Sequence, residues 1–173
     1  MVYNTFISNI CVLIVCLLQQ ADVSFSVFHV NDIHAHFEEV DVYTGRCRDE
    51  QAAAGECYGG VARMYTKMRE LQQQEENWIF LNAGDYYQGT IWYTKFNYEP
   101  VAYFAKQLNY TAMGIGNHDF DDAIQGLIPF AEEVNFPLLA ANMYEDGPEV
   151  LTPYYKKSIV QDVAGLLKIS IQD

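Results

Sequence analysis

Short apolar runs at residues 25–30, 78–81, 111–115 and 137–141 alternate with stretches of helical period, and no other feature of the chain restricts its fold so far. Within residues 59–73, Val61, Met64, Tyr65, Met68 and Leu71 fall on one helical face. Val101, Phe104, Ala105 and Leu108 repeat the pattern behind Pro100, which suits a first helical turn, and Ile124, Leu127, Ile128 and Ala131 make a third face. Strands and helices alternating in this way build an α/β fold with a mainly parallel sheet, whose strand-following polar residues gather along one edge. Two more strands are expected at residues 154–160 and 166–171, joined by a turn at 162–165. Residues 38–60 form the one long irregular stretch.

Three of the apolar runs break into a polar motif: Asn31-Asp32-Ile33-His34, Gly84-Asp85 and Gly116-Asn117-His118-Asp119. Carboxylate oxygen, imidazole nitrogen and amide oxygen together suit a hard-to-borderline divalent cation, and one carboxylate can bridge two such ions about 3.5–4 Å apart. An aspartate after a strand is more often a plain turn or cap residue. Three such motifs are expected to converge on one sheet edge, where both readings stay open until the family resemblance is weighed. His29, inside the first run, reads as a core residue, and His36 as a bystander two positions past His34. Tyr86, Tyr87, Trp92, Tyr93 and Phe96 are expected to pack against helices rather than to stack on a substrate.

Half of the 173 residues are hydrophobic and 14% are aromatic, a globular rather than a disordered composition. A net charge of -13 argues against nucleic acid or an anionic membrane surface as a partner. The first charged side chain is Asp22, and residues 10–18 are continuously apolar, too short a run to span a bilayer. Residues 1–24 are therefore expected to be a secretory signal peptide, with a buried N-terminal helix as the alternative. Cleavage would leave Cys47 and Cys57, an even pair in a polar, Gly-containing loop, which is expected to form a disulfide. Zinc ligation by the same pair is the competing reading, to which the spacing is poorly suited. Asn109-Tyr110-Thr111 is a glycosylation sequon if the chain is secreted.

With Gly59-Gly60-Val61-Ala62-Arg63, the run from Gly84-Asp85-Tyr86-Tyr87 through Gln88-Gly89-Thr90, and Gly116-Asn117-His118-Asp119-Phe120-Asp121, the ordered motifs resemble those of the secreted animal 5'-nucleotidase and apyrase family, a branch of the calcineurin-like metallophosphoesterases. The resemblance runs from residue 25 to the end. It implies a four-layer α/β/β/α sandwich of which only the N-terminal half is present, so that residues 25–173 form a partial metallophosphoesterase domain and the family's C-terminal nucleotide-binding domain is absent. On this resemblance Asp32 and His34 ligate one metal, Asp85 bridges two, and Asn117 ligates the second. His118, oriented by Asp121, lies over the phosphate, so Asn117 and His118 also bind substrate.

The implied cofactors are two divalent ions, zinc foremost and calcium or magnesium in an apyrase. The implied reaction is hydrolysis of extracellular AMP, or of ADP and ATP, by in-line attack of a metal-bridging hydroxide on phosphorus. The family draws two further His ligands from positions beyond the match to this chain, and no histidine follows His118 here. The chain by itself is therefore expected to show little or no activity. The resemblance places the full-length form outside the cell, or on its surface where a C-terminal lipid (GPI) anchor, absent from this sequence, is added. A catalytically inactive secreted binder of small molecules is the rival reading.

Overall fold

The computed structural model describes residues 24–143, 151–165 and 167–172. The expected signal segment, residues 1–24, lies outside them except for Ser24. Strands β1 (Ser26–Val30), β2 (Trp78–Asn82), β3 (Ala112–Gly114), β4 (Leu138–Leu139) and β5 (Tyr155–Lys156) form a five-stranded sheet among the described residues, parallel throughout and in chain order. The helices are α1 (Asp49–Ala53), α2 (Val61–Gln74), α3 (Ile91–Phe96), α4 (Tyr98–Leu108) and α5 (Ala123–Glu133), with a 3-10 turn at His118–Phe120. The α/β class expected from the alternation is the one observed.

Strand order decides where the helices go. When each new parallel strand is added on the same side through a right-handed crossover, every crossover helix falls on one face of the sheet. Phe28, Phe80, Met113 and Leu138 share that face by register, and they pack with Val101, Ala105, Leu108, Leu127 and Phe130 in one cluster. Aromatic pairs fill it: Phe80 meets Tyr110 with ring centroids 4.6 Å apart, and Tyr87 meets Tyr93 at 4.7 Å and Phe130 edge-on at 5.7 Å. Tyr86, Tyr87 and Tyr93 are thus core residues, as their clustering suggested, while Phe96 stays exposed.

Among the described residues the opposite face carries no crossover helix. A hairpin of β6 (Ser158–Val163) and β7 (Leu167–Gln172) forms a separate antiparallel pair, and Ile171 and Gln172 close a cavity of about 100 Å³ against His29, Leu81, Ala112, Gly114 and Leu139. His29 is consequently exposed rather than buried in the helix-side core. The expected single strand at 154–160 is divided: Tyr155–Lys156 completes the parallel sheet, and from Ser158 the chain has crossed to the other layer. No helix among the described residues is long and apolar enough to cross a membrane.

Residues 38–60 are less irregular than expected, since they contain α1 and bridges from Val40 to Arg46 and Tyr58. Cys47 and Cys57 are disulfide-bonded, with Cα atoms 5.8 Å apart. Arg63 ties this loop to α2: its guanidinium donates to the Cys57 and Gly59 carbonyls at 2.9 and 3.2 Å and pairs with Glu39 at 2.8 Å. Closing a loop of this size restricts the unfolded chain by about 2–3 kcal/mol. Replacing both cysteines by serine is expected to lower the denaturation midpoint accordingly with an unchanged slope. In a non-reduced digest the two residues should travel in one linked peptide; two free, alkylated thiols would contradict the bond.

Candidate metal centre

The carboxyl ends of β1, β2 and β3 lie side by side, so the three polar motifs open onto one edge. Backbone bonds join the first two loops: Asp32 N–H donates to Gly84 O at 3.0 Å, His34 N–H to Asp85 O at 3.1 Å, and Ala35 N–H to Tyr86 O at 2.9 Å. The Thr90 hydroxyl adds a bond to Ala35 O at 2.8 Å. The second and third loops touch through glycines. A Cβ on Gly84 would stand 2.5 Å from Gly116 N, and one on Gly116 would overlap the Asp85 carboxylate and its backbone nitrogen. Asp32, His34 and Asp85 all adopt left-handed φ values, 50°, 47° and 57°. Such conformations are uncommon outside glycine and concentrate where surrounding structure imposes them.

This backbone brings ligand atoms of Asp32, His34 and Asp85 within 4.8 Å of one another. His34 Nε2 lies 3.6 Å from Asp32 Oδ1 and 4.0 Å from Asp85 Oδ2, too long for hydrogen bonds. Separations of roughly 3–4 Å are those of donors each about 2.0–2.2 Å from a shared cation. The other ring nitrogen of His34, Nδ1, sits 3.1 Å from Tyr87 O. A carbonyl there requires Nδ1 to carry the proton, which leaves the Nε2 lone pair facing the two carboxylates. The donor set and the tautomer both fit a divalent cation. Asn31 Nδ2 donates to Asp32 Oδ2, leaving Oδ1 on the His34 side.

Asp85 is largely sheltered, and its Oδ1 accepts the His118 backbone N–H at 2.8 Å. The His118 ring stands edge-on to that of His34, centroids 5.3 Å apart, so the third motif flanks the donor cluster. His118 Nδ1 lies 2.9 Å from Asp121 Oδ2. That hydrogen bond raises the His118 pKa above the usual histidine value; the charges of Asp121, Asp85 and Asp119 add to the rise and partial desolvation opposes it. Asn117 is exposed and opens the 3-10 turn, one residue from His118. Asp122, not Asp121, occupies the N-cap position of α5, and it accepts the Tyr93 hydroxyl at 2.6 Å.

Asn109 is exposed at the left-handed C-cap of α4, a position asparagine tolerates well. His36 is exposed and turned to Ile33 O at 3.2 Å. Glu39, Cys47 and Cys57 also cluster, but the disulfide consumes both thiols, which removes them as metal ligands. Asp119 is the residue that the sequence reading passed over. It is 1% exposed and accepts four backbone N–H bonds, from Tyr86 and Tyr87 on Oδ1 at 2.9 and 3.1 Å, and from Asp85 and Gly116 on Oδ2 at 3.1 and 2.9 Å. Burial raises its pKa, while those four bonds pull the other way. A charged residue inside a short polar motif gives no sequence signal for burial, because only the meeting of two loops encloses it.

Residues 25–168 match the family model described as calcineurin-like phosphoesterase, and the chain belongs to that family. It is 40% identical over 140 residues to an apyrase of Tabanus yao, covering 81% of this chain and 24% of that protein. To a 5'-nucleotidase of Homo sapiens it is 38% identical over 149 residues, covering 82% and 25%. Among solved structures, a 5'-nucleotidase precursor from Thermus thermophilus aligns with a TM-score of 0.73 at 30% identity, over 84% of this chain and 27% of that one. The chain spans about a quarter of the length of these relatives.

Proposed function

We propose that this chain supplies the metal-binding part of an extracellular phosphohydrolase that removes phosphate from nucleotides. The observation that carries the reading is the Asp32, His34 and Asp85 donor cluster with the His118–Asp121 pair beside it. Asp32 and His34 would hold one divalent cation, Asp85 would be shared between it and a second, and Asn117 would supply this chain's share of the second site. Bound cations would neutralise phosphate oxygens and lower the pKa of water at the centre. An imidazole among the oxygen donors favours zinc, and an apyrase would take calcium or magnesium.

Asp121 keeps the His118 imidazole in one orientation with its Nδ1 proton engaged, so that Nε2 is free for the phosphoryl group. With Nδ1 turned to Asp121, Nε2 is the ring nitrogen that can present a proton to charge developing during hydrolysis. The Asn117 amide and the His118 ring contact the same phosphate. The names of the relatives, 5'-nucleotidase and apyrase, support AMP, ADP or ATP as substrate. The Cys47–Cys57 disulfide supports an oxidising, extracellular setting, in which residues 1–24 act as a signal peptide and Asn109 is glycosylated.

In the full protein, phosphate release from AMP, ADP or ATP is expected to vanish on exhaustive chelation and to return with added zinc or calcium. Chelation-resistant hydrolysis would overturn the reading. The 173-residue polypeptide alone is expected to turn over little substrate, because its sequence offers no histidine after His118 to complete the second site. Turnover comparable with that of longer relatives would refute the half-site assignment.

A further inference from the structure

We infer that Asp119 is a positioning residue for the metal centre, its buried carboxylate fixing the Asp85 loop against the Asn117–His118 loop. The inference rests on the metal reading above and concerns a side chain to which that reading gives no role. Three successive N–H groups, those of Asp85, Tyr86 and Tyr87, converge on one carboxylate, as they would on an anion in a backbone nest. That curl includes the left-handed φ of 57° at Asp85. The fourth donor, Gly116 N–H, comes from the neighbouring motif, so one side chain joins both loops.

The choice of aspartate follows from acceptor count. Each carboxylate oxygen accepts two bonds here, and only an ionised carboxylate offers acceptors on both of its terminal atoms. An asparagine would turn an NH₂ group toward two N–H donors. Among the described residues Asp119 makes no salt bridge, and the four amides offset the loss of water around its carboxylate. Asp85 is gripped from both ends: its N–H by Asp119, and its Oδ1 by the N–H of His118. Through Asp85 O and Tyr86 O the same constraint reaches His34 and Ala35 in the first loop.

The test measures Zn²⁺ affinity of the full protein by competition with a chromophoric chelator, and the melting temperature of the metal-free form. Asp119→Asn is expected to weaken Zn²⁺ binding by about 10- to 100-fold, the usual cost of losing a group that orients a ligand. Leu108→Ala, a core change in α4, serves as a destabilised control and should keep its affinity within about twofold. Equal affinity in Asp119→Asn and wild type overturns the inference, as does an equal loss in Leu108→Ala. Should Asp119→Asn fail to fold, the wild type still decides: Zn²⁺ is expected to slow amide exchange at Asp85, Tyr86, Tyr87 and Gly116, and unchanged exchange there overturns the inference. A wild type that binds Zn²⁺ while Asp119→Asn matches it leaves the metal reading standing and removes Asp119 alone. A wild type that binds no Zn²⁺ removes both.

Discussion

Asp85→Asn in the full protein is expected to lose both bound metal and turnover, whereas His118→Ala loses turnover and keeps its metal. The asymmetry comes from where each side chain stands. Asp85 uses Oδ1 for the His118 N–H and directs Oδ2 toward His34, at the centre of the donor cluster. A neutral amide there removes a negative charge from the middle of the proposed two-cation site, and its NH₂ group would face either a cation or another N–H donor. His118 lies to one side, tied to Asp121. Removing a single donor of this type costs about 10²–10³ in turnover, or roughly 3–4 kcal/mol of transition-state stabilisation. In His118→Ala, kcat should fall with near-normal metal content, and in Asp85→Asn it should fall further as metal is lost. Elemental analysis of the purified variants separates the two cases. Equal metal loss would make His118 a ligand, and its assigned role would have to be abandoned.

The second large effect needs only one methyl group. Gly116→Ala would place a Cβ against both the carboxylate and the backbone nitrogen of Asp85, neither of which is a flexible chain end that can swing away. The two loops must separate, which breaks the Gly116 and Asp85 bonds to Asp119 or moves the Asp85 carboxylate out of the cluster. Displacing a reacting group by about 1 Å commonly costs around 10²-fold in rate. Overpacking adds about 1–3 kcal/mol of destabilisation. Both quantities are expected to move together in Gly116→Ala, read as kcat and as the denaturation midpoint. Wild-type values for both would show that the loops are not packed as described.

Much of this arrangement was legible in the sequence because its signals are local. Alternation of short apolar runs with stretches of period 3.6 marked the strands and the helices α2, α4 and α5, and the polar break after each of the first three strands marked the site edge. The short helix α3 escaped notice because Ile91–Phe96 is rich in aromatics, and such a stretch reads as packing surface whatever its backbone does. Helix α1 is only five residues long, carries no apolar side chain larger than alanine and has no buried residue, so it offers no periodicity to detect. His29 misled for another reason. Its neighbours alternate correctly, but which face of a strand is covered depends on strand order, and here that face lies opposite the helices. Lys157 marks the point where an apparently continuous strand changes layers, a choice made by tertiary packing with no turn residue to announce it. Asp119 is the sharpest case, since three of its four partners are 32 to 34 residues away on a different loop.

The left-handed backbone at Asp32, His34 and Asp85 limits how this centre can evolve. Asp, Asn and His are the side-chain-bearing residues that enter that region most readily, and β-branched residues are the ones it rejects. At Asp32 and His34 the main chain would therefore accept carboxylate, amide or imidazole with little backbone penalty, the range separating magnesium- and calcium-type donors from zinc-type donors, whereas the charge proposed for Asp85 narrows its choice further. Threonine, although its hydroxyl is a plausible oxygen donor, is closed off by main-chain geometry before its chemistry is ever tested. Left-handed main chain at these positions thus acts as a conformational filter on the proposed centre, one that sorts side chains before their affinity for a cation comes into play.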